Sequence, residues 1–213
     1  CLRLRRARAK GHARPMPLVS EAVVSDAVPL AHDAQAARPV LRCFNVRYSP
    51  NLGDGLLSEC LERALIDHGA DPATTSIDLA ARRRYGETLA GRGAIMRALE
   101  AMPAGLRGLA VRAPLALASR RSWAPHYAAG LEGADAVVIG GGNLLADLDL
   151  NFPTKLALAI GQAARRRLPV ALFACGVSSG WSRAGLARAR PAFADPHLRA
   201  VFVRDPESQA VWN

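Results

Sequence analysis

Four short apolar runs, each ending next to glycine or polar residues, most constrain what this chain can fold into. They cover residues 40–46, 134–139, 169–174 and 200–203, and residues 76–79 are a weaker fifth candidate. Strands with no polar face belong to parallel sheets, because helices cover both faces of such sheets. The sequence therefore predicts an α/β fold, with a parallel sheet flanked by helices.

The segments between these runs carry apolar residues at helical spacing. The first predicted helix follows a polar loop over residues 48–55. Its apolar residues include Leu56, Leu57, Cys60 and Leu61, and it is predicted to end at Gly69. A second helix follows Pro153 and ends at three arginines, and a short one is predicted over residues 182–190. One or two helices with loops are predicted within residues 82–122. Strands and helices thus alternate along the chain.

The charge of the chain is concentrated at its start. The formal net charge is +10, but the first twenty residues hold six basic groups and no acid. Residues 1–38 are therefore predicted to be a basic arm, and residues 39–213 the folded domain. Two interpretations of the arm remain open: a solvated segment, or an electrostatic contact with an anionic membrane surface or a phosphorylated substrate. Nucleic acid is disfavoured as a partner, because the basic segment has no interleaved aromatic residues.

The cysteines and histidines predict neither a metal site nor a disulfide framework. The four cysteines form no CxxC pair, and no Cys/His cluster suits zinc. Cys43 and Cys175 lie in apolar runs and are predicted to be small buried core residues. This cysteine usage predicts a reducing, cytoplasmic location. The sequence has no run of eighteen apolar residues that would span a membrane.

Unusual polar residues and glycines follow the predicted strands. Ligands of parallel α/β sheets bind at the carboxyl ends of the strands. The strand ends are therefore the candidate binding site, and its predicted residues are Asn51, Gly53, Asp54, Gly140, Gly141, Gly142, Asn143, Gly176, Arg204 and Asp205.

The glycine triplet fails the tests for the common nucleotide motifs. The third glycine of a dinucleotide fingerprint is replaced by Leu145, and the next strand ends without an acid. No Gly-Lys-Ser/Thr of a P-loop follows either. One interpretation is a turn whose backbone amides bind a phosphate or carboxylate. The other is a tight turn that needs positive φ and has no ligand.

Two other segments also allow a structural and a functional interpretation. Asn51 or Asp54 can cap the helix that follows, and the helix start then faces the binding cleft. Asp205 is predicted to be an N-cap with Pro206 at the first helical position. Arg204 is either an anion-binding guanidinium or a salt-bridged, solvated side chain.

Four segments in this order resemble the polysaccharide pyruvyl transferase family. Each alone is weakly specific, but their order and spacing together match the N-terminal half of that family. The resemblance runs from about residue 40 to residue 213. It is carried by residues 51–57, 135–145, 173–177 and 203–208.

The resemblance implies a two-domain fold of the glycosyltransferase-B type, of which this chain supplies the Rossmann-like N-terminal half. We then expect the C-terminal domain, with a histidine acting in acid–base catalysis, to lie beyond residue 213. The implied reaction transfers the enolpyruvyl group of phosphoenolpyruvate to two hydroxyls of a sugar in a bacterial exopolysaccharide or cell-wall polymer, forming a pyruvate ketal. Arg204 is the catalytic candidate that holds the donor, with the turn at residues 140–142. No metal or cofactor is implied.

The resemblance also implies where the protein works and what it meets. The acceptor glycan is often carried on a lipid diphosphate, so the expected location is the cytoplasm at the inner face of the membrane. Residues 1–20 would provide a peripheral membrane contact. Two alternatives remain open: a nucleotide-sugar-dependent glycosyltransferase of similar fold, and a basic anion-binding module without catalysis.

Overall fold

The computed structural model describes residues 37–87, 97, 101–103 and 110–213. Its centre is a five-stranded sheet in which every pair of neighbouring strands is parallel, in the order β2-β1-β3-β4-β5. All five predicted strands are present, with ends that differ from the prediction by one or two residues. The strands are β1 (Leu41–Asn45), β2 (Thr75–Asp78), β3 (Ala136–Gly140), β4 (Val170–Cys175) and β5 (Leu198–Val203).

Helices connect the strands, as predicted. A π-helical stretch (Ser119–Trp123) joins α2 and α3 into one helical segment, whereas the rest of the predicted helical region within residues 82–122 lies largely outside the described residues. The predicted arm, except for residues 37 and 38, also lies outside them. The helices are α1 (Leu52–Asp67), α2 (Arg112–Ala118), α3 (Ala124–Gly130), α4 (Asn151–Arg165), α5 (Arg183–Phe193) and α6 (Pro206–Trp212).

Three helix boundaries differ from the sequence prediction. One is the start of α4, which begins at Asn151, two residues before Pro153. The predicted loop over residues 48–55 is too long, because α1 already begins at Leu52, directly after its capping residue Asn51. The predicted helix over residues 182–190 runs on to Phe193 and carries Pro191 in its interior. Within the described part of the chain, no helix is long and apolar enough to cross a membrane.

The two faces of the sheet are covered unequally. Side chains of neighbouring strand residues point to opposite faces. On one face, the side chains of Phe44 and Ile139 belong to the main core with Tyr127 of α3 and Leu156 of α4. On the other, a smaller cluster joins Cys43 and Val138 to Leu61 of α1. Helices therefore flank both sides of the sheet, but most of the core lies on one side.

The predicted apolar face of α1 is buried only in part, at Leu61. Leu56 and Leu57 are 64% and 50% exposed, and Cys60 is also exposed. Instead α1 buries Gly55, Ser58 and Leu61. Gly55 is covered by the hydroxyl of Tyr85, and Leu61 packs against the sheet, which leaves the two leucines facing outward.

The exposed aromatic side chains lie on the same side of the sheet as α1. Phe173 of β4 and Phe202 of β5 form an edge-to-face pair with ring centroids 6.2 Å apart, and both are exposed. A β carbon on Gly140, the register partner of Phe173, would contact Leu61 of α1. The helix thus packs over β1 and β3 and leaves this part of the sheet uncovered.

The strand order defines where a ligand crevice forms. The chain runs outward from β1 to β2 on one side, then crosses back to β3 on the other. In open α/β sheets, the loops after two such strands diverge and leave a crevice at their carboxyl ends. Here the loops after β1 and β3 contain residues 46–51 and 141–150. Both loops carry predicted site residues.

Candidate active site at the strand ends

Asn51 is the residue that caps the first helix. Its Oδ1 accepts a hydrogen bond from the amide of Gly53 at 3.1 Å, and its Nδ2 donates to Oδ1 of Asp54 at 3.4 Å. Asp54 lies in the first turn of α1, where a carboxylate interacts favourably with the helix dipole. Of the two predicted capping residues, Asn51 therefore has this role, and Asp54 is the third residue of the helix.

The glycine turn after β3 faces the start of α1. Gly141 and Gly142 have φ of 83° and 73°, a region that side chains rarely adopt, so the turn has positive φ as one of the two interpretations required. A β carbon on Gly142 would lie 3.5 Å from Oδ1 of Asp54. Gly140 is different: it is buried in β3, and a β carbon there would lie 2.7 Å from the carbonyl oxygen of Phe173. Packing alone accounts for Gly140.

Asn143, Gly176 and Arg204 form a tight group at the ends of β3, β4 and β5. A β carbon on Gly176 would lie 2.7 Å from Oδ1 of Asn143 and 3.0 Å from Nη2 of Arg204. The amide of Asn143 is held from behind, because its Nδ2 donates to Oγ of Ser178 at 2.7 Å. The glycine thus leaves room for two polar side chains to lie over the backbone.

Arg204 and Asp205 form an ion pair with each other. Nε of Arg204 donates to Oδ2 of Asp205 at 2.9 Å, and Oδ1 of Asp205 accepts from the amide of Ser208 at 2.7 Å. The bonds from Ser208 and then from Arg204 lower the pKa of Asp205 to about 2. The predicted N-cap is confirmed. The predicted salt bridge of Arg204 is also present, but it uses Nε alone.

The two terminal nitrogens of Arg204 make no hydrogen bond to any residue that the structure describes. The side chain is 54% exposed and lies over Gly176. Since Nε binds Asp205, the guanidinium plane is oriented while Nη1 and Nη2 remain available. An arginine in this state can bind a carboxylate or phosphate through two parallel bonds.

The backbone around this group is held by hydrogen bonds between the loops. The amide of Gly176 donates to the carbonyl of Gly142 at 2.9 Å, and the amide of Arg204 donates to the carbonyl of Cys175 at 3.0 Å. Ala174 has φ of 53° at a break in the register between β4 and β5. Non-glycine residues in this region are strained, and such strain is often found at functional sites.

The structure places all ten predicted residues at one edge of the sheet. They form two groups: the capping segment with Asp54 faces Gly142, and Arg204 with Asp205 lies beside Asn143 and Gly176. The loop from Gly141 to Asn143 connects the groups.

Sequence reasoning missed several residues of the site. Ser178 holds Asn143, and Oγ of Ser208 accepts the amide of Val177 at 2.9 Å. Gly55 lies under the hydroxyl of Tyr85, which would clash with any β carbon there. Ser208 could have been found as the third helical residue after a predicted cap, but no local pattern marks Ser178 or Tyr85.

Other titratable groups in the described part of the chain do not suggest a second chemistry. Burial raises the pKa of the thiols of Cys43 and Cys175 to about 12, so neither is a nucleophile at neutral pH. Burial lowers the pKa of His126, which lies near Asp78 rather than in the site. Within the described residues, no group of three or more His, Cys, Asp or Glu side chains could hold a metal ion.

Fold and site together define a Rossmann-like α/β protein with its polar residues gathered at the carboxyl ends of the strands. The sequence profile of the polysaccharide pyruvyl transferase family matches residues 51–213, well over half of the chain. The chain belongs to this family, as its motifs predicted, and is a transferase. Comparisons with curated proteins and with solved structures give no match. The family match begins at Asn51, the cap of α1.

Proposed function

We propose that this protein transfers the pyruvyl group of phosphoenolpyruvate to a sugar of a bacterial exopolysaccharide or cell-wall polymer, forming a cyclic pyruvate ketal. Membership in the family supports a transferase with a polysaccharide acceptor. The structural observation that carries the proposal is the placement of Arg204, whose terminal nitrogens lie over Gly176 at the strand ends.

The donor carries a phosphate and a carboxylate, and the candidate site offers groups for both. Arg204 provides a fixed guanidinium for one of them. The positive-φ turn at Gly141 and Gly142 brings backbone close to the same crevice, where amides can approach a second anionic group. Asn143 adds a side-chain amide that Ser178 orients. A cation and dipoles that are oriented before the ligand binds can stabilise the charge that develops in the transition state.

The proposed chemistry proceeds in two steps. A proton is added to the methylene carbon of phosphoenolpyruvate, and one sugar hydroxyl attacks C2 and loses its proton to a base. A second hydroxyl of the same sugar then displaces inorganic phosphate from C2, which closes the ketal. Arg204 would stabilise the phosphate as it leaves. The reaction needs no redox cofactor, because the overall oxidation level of the three pyruvyl carbons is the same in phosphoenolpyruvate and in the ketal.

The location follows from the acceptor. Acceptor glycans of this kind are assembled on lipid diphosphates, so we infer that the protein works in the cytoplasm near the inner face of the membrane. The basic residues 1–20 carry six positive groups that could contribute to this contact.

Phosphate release from phosphoenolpyruvate tests the proposal. Purified protein is incubated with phosphoenolpyruvate and glycan acceptors that carry galactose or mannosamine residues. We expect acceptor-dependent phosphate release and a product that contains a pyruvate ketal. Arg204→Ala should lower kcat/KM by about a hundredfold, and Arg199→Ala, at an exposed position in the preceding strand β5, should not. Turnover of a nucleotide sugar without consumption of phosphoenolpyruvate would instead establish the alternative glycosyltransferase.

A further inference from the structure

Five exposed arginines lie on helices that pack against the main core on one face of the sheet, and we call them the arginine face. α2 and the π-helical stretch contribute three, and α5 contributes two. No aspartate or glutamate occurs within residues 111–131 or 176–194, which contain these helices. The five residues are Arg112, Arg120, Arg121, Arg183 and Arg188.

These arginines have no anionic partner in the described chain, unlike some other arginines of the protein. Arg47 is paired with Glu62, and Arg82 with Asp78. In contrast, none of the five guanidinium groups of the arginine face forms an ion pair or a hydrogen bond with a residue that the structure describes. Since no carboxylate of the described chain pairs with them, an external anion would stabilise this surface.

A cavity of about 310 Å³ lies between α2 and α5. Arg112 contributes from the start of α2 and Arg188 from the middle of α5. The remaining lining is apolar: Leu150, Ala184 and Ala187. Two guanidiniums beside an apolar wall suit a phosphate group attached to an apolar body, because each arginine can bind phosphate oxygens bidentately.

Exposed leucines lie in α2 and in the loop that ends at the cavity residue Leu150. Leu117 of α2 is 51% exposed, and Leu148, two residues before Leu150, is 59% exposed. α2 itself buries none of its residues. Helices that combine arginine with exposed leucine are typical of proteins that lie in the interface of an anionic membrane. A nucleic acid or an acidic glycan would gain nothing from the exposed leucines.

We propose that the arginine face binds the surface of a membrane that contains anionic phospholipid, with Arg112 and Arg188 holding one headgroup phosphate in the cavity. This surface is separate from the basic N-terminal arm, and the proposal does not depend on the donor chemistry.

The arginine face lies beside the candidate active site. Oδ2 of Asp147 accepts hydrogen bonds from the amide and the hydroxyl of Ser182, the cap of α5. The loop that carries Asn143 is therefore attached to the start of α5. Docking through the arginine face would bring the strand ends close to a lipid surface, where a lipid-linked acceptor would be found.

Sedimentation with vesicles tests this surface. The full chain is mixed with vesicles of phosphatidylcholine alone or with one third phosphatidylglycerol. We expect binding only to the anionic vesicles. Arg112→Gln with Arg188→Gln should weaken it about tenfold or more. The matched control, Arg63→Gln with Arg199→Gln, removes the same charge from exposed positions on α1 and β5 and should weaken it much less. Circular dichroism confirms that each variant is folded.

Two more variants test the apolar contact and the N-terminal arm separately. Leu117→Gln leaves the charge of the protein unchanged. Because high salt screens the electrostatic attraction, the binding that remains at high salt comes from the apolar contact, and this variant should reduce it. A variant with Arg3→Gln, Arg5→Gln, Arg6→Gln and Arg8→Gln removes positive charge from the N-terminal arm alone. The proposal is overturned if wild type ignores anionic vesicles, if the Arg112/Arg188 and control variants lose binding equally, or if only the arm variant loses it.

Discussion

The guanidinium of Arg204 lies over the backbone of Gly176, so closely that a β carbon on the glycine would be 3.0 Å from Nη2. The same carbon would be 2.7 Å from Oδ1 of Asn143. Gly176 is therefore the residue that allows a cation and an amide to meet at the ends of β3, β4 and β5. It controls the geometry of the candidate site without offering a functional group of its own.

Gly176→Ala should weaken phosphoenolpyruvate binding at least tenfold, equivalent to about 1.4 kcal/mol. The added methyl group would displace Arg204 and Asn143, and the atoms that it meets first belong to side chains rather than to the backbone. The melting temperature should therefore change little. Isothermal titration calorimetry measures the affinity, and differential scanning fluorimetry the stability.

Gly161→Ala is the matched control for that variant. Gly161 lies in α4, and a β carbon there would have no neighbour within 4 Å. Because alanine favours a helix over glycine, the melting temperature should rise slightly, and donor affinity should not change. Unaltered affinity in Gly176→Ala would show that the contact between Arg204 and Gly176 has no part in donor binding.

The stability contributed by the charge of Asp205 should depend on pH. Its pKa is lowered from 3.8 to about 2 by bonds from Ser208 and Arg204. A carboxyl group with a depressed pKa in the folded state stabilises the protein above its unfolded pKa, and this contribution is lost as pH falls towards the folded pKa. Wild type should therefore be more stable than Asp205→Asn, which retains a capping side chain, above about pH 4.

Urea denaturation of both proteins between pH 7 and pH 2 measures that difference. We expect the two unfolding midpoints to converge between about pH 4 and about pH 2. A constant difference across this range would mean that the carboxylate charge does not contribute to stability through these bonds.

Tyr127→Phe should destabilise the fold by about 1–2 kcal/mol, because it leaves the carbonyl of Leu79 unpaired. The buried hydroxyl of Tyr127 donates to that carbonyl at 2.7 Å. For a protein of this size the melting temperature should fall by about 3–6 °C. Tyr48→Phe is the control, since the Tyr48 hydroxyl bonds to no residue that the structure describes. Equal melting temperatures for both variants would contradict the role of this bond.

Cysteine labelling should distinguish the buried thiols from the exposed one. Cys43 and Cys175 are buried with pKa raised to about 12, whereas Cys60 is exposed on α1. In a Cys1→Ser protein, Ellman's reagent at pH 8 should react rapidly at one site, Cys60. Unfolding in guanidinium should then expose the other two. Rapid reaction of all three in the folded state would be incompatible with the core described above.

The apolar runs predicted the fold well, because a strand that is buried on both faces appears in the sequence as a nearly continuous apolar run. The predicted ends of β1, β3, β4 and β5 therefore lie within about two residues of the observed ends. The helical pattern of α1 was misleading for a physical reason. Its leucines are spaced as for a core helix, but the helix instead buries the side that carries Gly55, Ser58 and Leu61. A pattern of apolar residues alone does not show which side of a helix will be buried.

The sequence by itself determined the parallel α/β class, the family and the strand ends as the location of the polar residues. Each of these depends on local patterns, such as an apolar run that ends in glycine. Only the tertiary structure decided which polar residues meet. Asn143, Gly176 and Arg204 are far apart in the chain, and they come together because β3, β4 and β5 are adjacent and parallel. The arginine face likewise depends on how α2 and α5 lie around the start of α4, which no spacing in the sequence specifies.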